Sequence, residues 1–143
     1  MPLSLKEAGV YHDISRTSGI YTLIGEKTPW YEDLIYRETF HRVPGDIIYV
    51  YTAIFAPSGL TTPIIHEWQY YDNTSRTWMT TNTISFSING GRDGGYRGYT
   101  QKSGVTEGRW RVNVLTQYGA AVGRVSFDVR NATTTPPLVV TQE

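Results

Sequence analysis

Apolar and polar residues alternate along most of this chain with a period of two, the spacing of β-strands that turn one face toward a core. Residues 109–116 set Trp110, Val112 and Val114 against Arg109, Arg111 and Asn113, and residues 121–129 set Val125, Phe127 and Val129 against Arg124, Ser126 and Asp128. A turn at 117–120 that pairs Thr116 with Ala121 would put Trp110 opposite Phe127, Val112 opposite Val125 and Arg109 opposite Asp128. Each such cross-strand pair contributes about 0.2–1 kcal/mol. Residues 46–55 differ: Ile47, Tyr49, Tyr51, Ala53 and Phe55 alternate with Ile48, Val50, Thr52 and Ile54, so both faces are apolar. That pattern predicts a central, doubly buried strand.

Half-buried strands are also predicted over 64–71, after Pro57-Ser58-Gly59 and Pro63, and over 83–88. Weaker patterns cover 9–14, 20–25 and 31–40, and WYEDLIYR at 30–37 fits one or two helical turns as well as a strand. Eight or nine short strands with frequent turn signals, and no room for crossover helices, predict an all-β fold. The architecture expected is an immunoglobulin-like antiparallel β-sandwich. At 143 residues the chain fits one domain. Its expected extent is 1–130, followed by a Thr/Pro-rich extended tail over 131–143.

Thirteen basic and thirteen acidic residues give a formal net charge of zero, which disfavours nucleic acid or any other polyanion as partner. Ten of the basic residues are Arg and three are Lys, a bias toward planar, bidentate donors. With no cysteine there are no disulfides, thiolate metal sites or thiol nucleophiles. The apolar run IIYVYTAIFA is about half the length of a membrane-spanning helix. The N-terminal MPLSLKEAG lacks the basic-then-apolar layout of a secretory signal. The expectation is a cytosolic domain or one cut from a longer chain.

The candidate chemistry centres on NGGRDGGYRGYTQK at 89–102. No helix is expected to follow it and it lacks the Walker spacing, so it is not a phosphate-cradling P-loop. Two readings stand. The glycines supply positive φ at a turn and a bulge, or they let a ligand reach backbone N–H groups while Arg92, Tyr96, Arg97 and Tyr99 supply charge and ring faces. On the first reading, Arg97 is expected to stack on Tyr99 or near Arg111 of a neighbouring strand.

His66 shares a face with Ile64, Trp68 and Tyr70, the setting of a core histidine with one satisfied hydrogen bond; His66 and Trp68 are carried as candidate ligand contacts. His12, His41 and His66 are scattered and form no metal-ligand spacing, so neither metal nor cofactor is expected. Glu32, Asp33, Glu38 and Glu67 are the carboxylates available for acid–base pairing. Tyr70, Tyr71, Trp78 and Tyr99 are candidates for an exposed aromatic platform.

The strings IIHEWQYYD, ING and TEGRWRVNVLTQYGAAVGRVSFDV resemble the bacterial domain of unknown function 2914 over about residues 47–129. Its most specific parts here are His66-Glu67-Trp68 and Gly108-Arg109-Trp110-Arg111-Val112, with Glu67 standing where relatives carry arginine. The resemblance brings no activity. It implies the C-terminal, extracytoplasmic part of a membrane-associated bacterial protein, beginning at PLSLKEAGVYH after a last transmembrane helix. The expected function is a noncatalytic binding or interaction module, its partner a protein, a glycan or the membrane segment of its own chain. A carbohydrate-binding module with coplanar exposed rings is the alternative, and a hydrolase with paired carboxylates in a cleft is the third reading.

Overall fold

The structure is a computed structural model that describes residues 3–26, 38–56, 61–89 and 96–143. Eleven strands form among them: β1 (Ser4–Tyr11), β2 (Asp13–Thr17), β3 (Ile20–Glu26), β4 (Glu38–Arg42), β5 (Ile48–Phe55) and β6 (Thr61–Asp72) come first. β7 (Thr77–Asn89), β8 (Tyr96–Lys102), β9 (Gly108–Thr116), β10 (Ala121–Asn131) and β11 (Leu138–Gln142) complete the set. They pair into three sheets, in the orders β1-β5-β8, β4-β10-β9-β6-β7 and β11-β3-β2. The first two pack face to face as an open sandwich of immunoglobulin-like type. The third covers the outer face of the first.

This layering explains β5. Its even-numbered Ile48 and Val50 join Trp68, Trp110, Val112 and Phe127 of the five-stranded sheet in one core, while Tyr51 and Ala53 join Ile14, Tyr21 and Leu23 of the outer sheet in another. A strand between two sheets must be apolar on both sides.

The β9–β10 register agrees with the sequence expectation over most of its length: Trp110 faces Phe127, Val112 faces Val125 and Arg109 faces Asp128. It departs at the turn, where a bulge between Ala121 and Gly123 moves Ala121 opposite Leu115 instead of Thr116. Among the described residues the strands number eleven where about eight or nine are expected, because the outer sheet adds short strands. Two further expectations are corrected. The sandwich is not wholly antiparallel, since β4 pairs with β10 in parallel. The segment expected to trail from the domain returns to it, Leu138–Gln142 pairing antiparallel with β3.

Two local devices set the outer sheet against the rest. Ser18 and Gly19, with φ of 51° and 79°, form the two-residue turn that joins β2 to β3. Positive φ at both positions is the type I′ geometry that follows strand twist. At the other end of β3, Glu26 accepts hydrogen bonds from His12 Nε2 at 2.7 Å and from His41 Nδ1 and the His41 amide. His12 also stacks on Phe40 at 4.0 Å. Histidines scattered in sequence therefore meet at one carboxylate that ties the outer sheet to β4. Among the described residues no group of three His, Cys, Asp or Glu side chains has metal-binding geometry.

Candidate functional site

The residues singled out from the sequence are distributed over two layers and do not form one surface. Arg92 lies outside the described residues, as do most of the glycine stretch, Glu32 and Asp33. Tyr96 packs against the Ile54, Ile64 and Val114 core. Tyr99 is held between sheets, with ring centroids 6.3 Å from Tyr21 and 6.2 Å from Tyr49. Arg97 stacks on neither Tyr99 nor a neighbour of Arg111. Its guanidinium lies 5.1 Å from the Tyr21 ring, and its Nη2 donates to the Gly19 carbonyl at 3.2 Å. The Tyr21 hydroxyl in turn donates to the Arg97 carbonyl at 3.0 Å. Arg97 thus pins the β2–β3 turn to β8. Arg97→Ala is expected to cost about 1 kcal/mol and to speed amide exchange in β2 and β3 while β9 and β10 stay protected. Uniform exchange across all strands would reject this local role.

His66 and Trp68 are corrected as ligand contacts: both are 0% exposed. On β6 they point into the sandwich, where period two places every even residue of this segment. His66 bonds the hydroxyls of Thr52 at 3.0 Å and Thr100 at 2.7 Å, and Trp68 Nε1 donates to Thr100 at 3.1 Å. Burial pushes the His66 pKa down to about 4, so the ring is neutral and joins two sheets through two hydroxyls. The sequence expectation of a single bond undercounts it.

The carboxylate pair expected of a hydrolase does not assemble from Glu38 and Glu67. Glu38, which accepts the Val10 amide at 3.0 Å, is on β4, and Glu67 is on β6, three places away in the sheet order. That is about 14 Å at ordinary strand spacing, too far for paired glycosidase carboxyls.

The outer face of the five-stranded sheet carries the best organised polar groups. β9 turns Arg109, Arg111 and Asn113 outward, and the register sets Glu67 and Arg124 on either side of Asn113 and Gln69 beside Arg111. Arg111 Nε donates to Gln69 Oε1 at 2.6 Å, and Arg124 Nε donates to Asn113 Oδ1 at 2.6 Å. Asn113 Nδ2 donates to both Glu67 Oε1 at 3.0 Å and Gln69 Oε1 at 2.8 Å, and Gln69 Nε2 donates to Thr80 at 3.1 Å. Asn113, at the centre, is only 7% exposed. One continuous network therefore orients two guanidinium groups.

Aromatic rings extend this face. The Arg111 guanidinium sits 4.1 Å from the Trp78 ring and that of Arg109 5.0 Å from Tyr71. The two rings meet at 5.2 Å and 66°, edge to face, so they are not the coplanar platform that a sugar-binding reading requires. An open cleft of about 510 Å³ adjoins them, lined by Glu107, Gly108, Arg109, Asp128, Val129 and Arg130. Gly108 is constrained at its rim: φ is +141°, and a Cβ there would come within 2.9 Å of the Tyr70 ring.

Residues 61–129 match a family model described as a protein of unknown function (DUF2914). This match supports the DUF2914 family for these residues. The DUF2914 segment begins with β6 and ends within β10, so it contains the Arg111–Gln69–Asn113–Arg124 network entire. An immunoglobulin-like protein from Pseudomonas aeruginosa is similar at 12% identity over 91% of this chain and 98% of that one, with a TM-score of 0.48. A Pseudomonas fluorescens alkylpurine DNA glycosylase, AlkC, bound to DNA containing an abasic site analog, is similar at 17% identity and a TM-score of 0.42. That match covers 64% of this chain and 27% of the glycosylase. No curated protein matches the chain.

The sequence did hold a signal for this face. The alternation Arg109, Arg111, Asn113 and the β9–β10 register together place Arg124 beside Asn113. The glycines and tyrosines of 89–102 are the louder local signal, and the described ones lie on a different strand.

Proposed function

We propose that this DUF2914 domain is a noncatalytic binding module and that its binding surface is the outer face of the five-stranded sheet. The observation that carries the reading is the amide network under Arg111 and Arg124, buried at Asn113 and half-buried at Gln69. Asn113 and Gln69 spend their hydrogen bonds on holding two charged side chains in place, an arrangement that suits recognition. The two arginines and the amides that hold them bind rather than transfer protons: arginine stays protonated at any working pH, and side-chain amides do not titrate. Such a module suits the extracytoplasmic end of a membrane-associated protein, the setting that the sequence resemblance implies. Among the described residues no helix is long and apolar enough to cross a membrane.

The test is a binding screen of soluble glycans, peptides and small anions against the wild type and an Arg111→Ala/Arg124→Ala variant. A ligand present at about 100 times its Kd adds roughly 2.7 kcal/mol to stability, readable as a thermal shift of several degrees. The expected result is a shift that vanishes in the folded double variant. A ligand that binds both proteins alike would move the site off this face.

A further inference from the structure

We propose that Arg111 and Arg124 form a receptor for a tetrahedral oxyanion, a phosphate or sulfate group, which the two guanidinium groups grip together. The inference rests on the reading of this face as a binding surface and adds the class of ligand. The placement of the two side chains supports it, and their electrostatics agree.

Each guanidinium is anchored through Nε, Arg111 on Gln69 Oε1 and Arg124 on Asn113 Oδ1, both at 2.6 Å. Among the described residues no hydrogen bond engages the Nη atoms of either side chain, so each presents its end-on pair of N–H donors. Three successive hydrogen bonds, Arg111 to Gln69, Gln69 to Asn113 and Asn113 to Arg124, keep the two forks on one patch, and two forks on one group match an anion with three or four oxygens better than a carboxylate with two.

The rings and amides hold the forks in advance of any ligand. The Trp78 ring, 4.1 Å from the Arg111 guanidinium, fixes its plane, and the buried Asn113 is bonded at both its oxygen and its nitrogen. Preorganisation of this kind removes the ordering cost that flexible surface arginines carry on binding.

The two positive charges stand close enough to disfavour one another. Burial and then the Arg124 charge lower the Arg111 pKa, against which the Glu67 carboxylate acts in the opposite direction. Glu67 directs its Oε1 to Asn113 at 3.0 Å rather than to either guanidinium. An added anion between the arginines would relieve the repulsion that folding has imposed.

The decisive experiment is titration of the 143-residue chain with inorganic phosphate at constant ionic strength, followed by ¹H–¹⁵N NMR including the arginine Nε–Hε signals. Saturable shifts of the Arg111 and Arg124 side-chain signals are expected, shared by sulfate and not reproduced by chloride or acetate. Arg111→Lys and Arg124→Lys keep the charge and lose the fork, so each should weaken phosphate binding about tenfold. Equal responses to phosphate and chloride would overturn the oxyanion receptor, as would lysine variants that bind phosphate like the wild type. If a neutral glycan or peptide moves these signals and phosphate does not, the binding face survives and the ligand class falls. If no probe moves them while signals elsewhere respond, both fall. Where phosphate binds, glycerol phosphate compared with vesicles of phosphatidylglycerol assigns the group to a free ester or a lipid headgroup; either assignment keeps the proposal.

Discussion

Replacing Trp68 by alanine is expected to destabilise the domain by about 3–5 kcal/mol, enough to lower the melting temperature by roughly ten degrees or more. Trp68 is 0% exposed and sits on β6 between Val112 on one side and Asn82 on the other. Its ring meets Phe127 of β10 edge to face at 6.2 Å, and its Nε1 reaches across the sandwich to Thr100 on β8 at 3.1 Å. One side chain thus fills the core of the sandwich and bonds its two sheets together. Truncation leaves a cavity that rigid strands on both sides cannot collapse, which places the cost at the upper part of the range for core substitutions. Trp68→Phe separates the two contributions: it keeps most of the volume and loses the N–H, and about 1–1.5 kcal/mol should be lost. Urea denaturation of both variants measures the difference. A loss below about 1 kcal/mol for Trp68→Ala would mean that the two sheets are held together elsewhere.

The elements that could be read from the sequence were those whose reason lies within one strand or one hairpin. β5 declared its burial because both of its faces are apolar, and β9 and β10 declared their register because a short turn joins two alternating runs. The outer sheet was harder. β2 buries only Ile14, and all five residues of β11 are exposed, so neither carries the alternation that marks a strand. β11 exists because β3 offers it a free edge, and the parallel pairing of β4 with β10 joins segments almost ninety positions apart, which no local pattern encodes. The same limit governs the side chains. Arg97 looked like a binding residue because its neighbours in sequence are glycine and tyrosine, yet its partners, Gly19 and Tyr21, come from the other end of the chain. The Arg111 network was closer to legible, since alternation and register specify its face; what they do not specify is that Gln69 and Asn113 share their oxygens with the arginines.

Acidification from about pH 7.5 to about pH 5 is expected to remove roughly 2 kcal/mol of stability through His66 alone. The ring is 0% exposed, and burial lowers its pKa from 6.5 to about 4 in the folded domain. The unfolded chain takes up the proton near the ordinary value, while the folded chain resists it. The stabilisation is therefore complete above pH 6.5, drains away as the pH falls from 6.5 toward about 4, and loses nothing further below that, about 3 kcal/mol in all. Carboxylates act in other windows. Burial pushes the Glu26 carboxyl up, but hydrogen bonds from His12 and His41 outweigh it and leave the pKa lowered, so its contribution is lost only as the pH falls below the ordinary 4.5. Glu7 works in the opposite sense: burial and then Glu143 raise its pKa, so its ionisation on raising the pH is what costs stability. His66→Gln isolates the histidine, because an amide can bond the Thr52 and Thr100 hydroxyls and does not titrate. Whatever its stability at pH 7.5, the variant should lose about 2 kcal/mol less than the wild type on going to pH 5 in urea denaturation. Equal losses in the two proteins would mean that His66 accepts its proton inside the fold. The two threonine hydroxyls would then have to solvate an imidazolium, and the link between β6 and β8 would be a polar joint that tolerates charge.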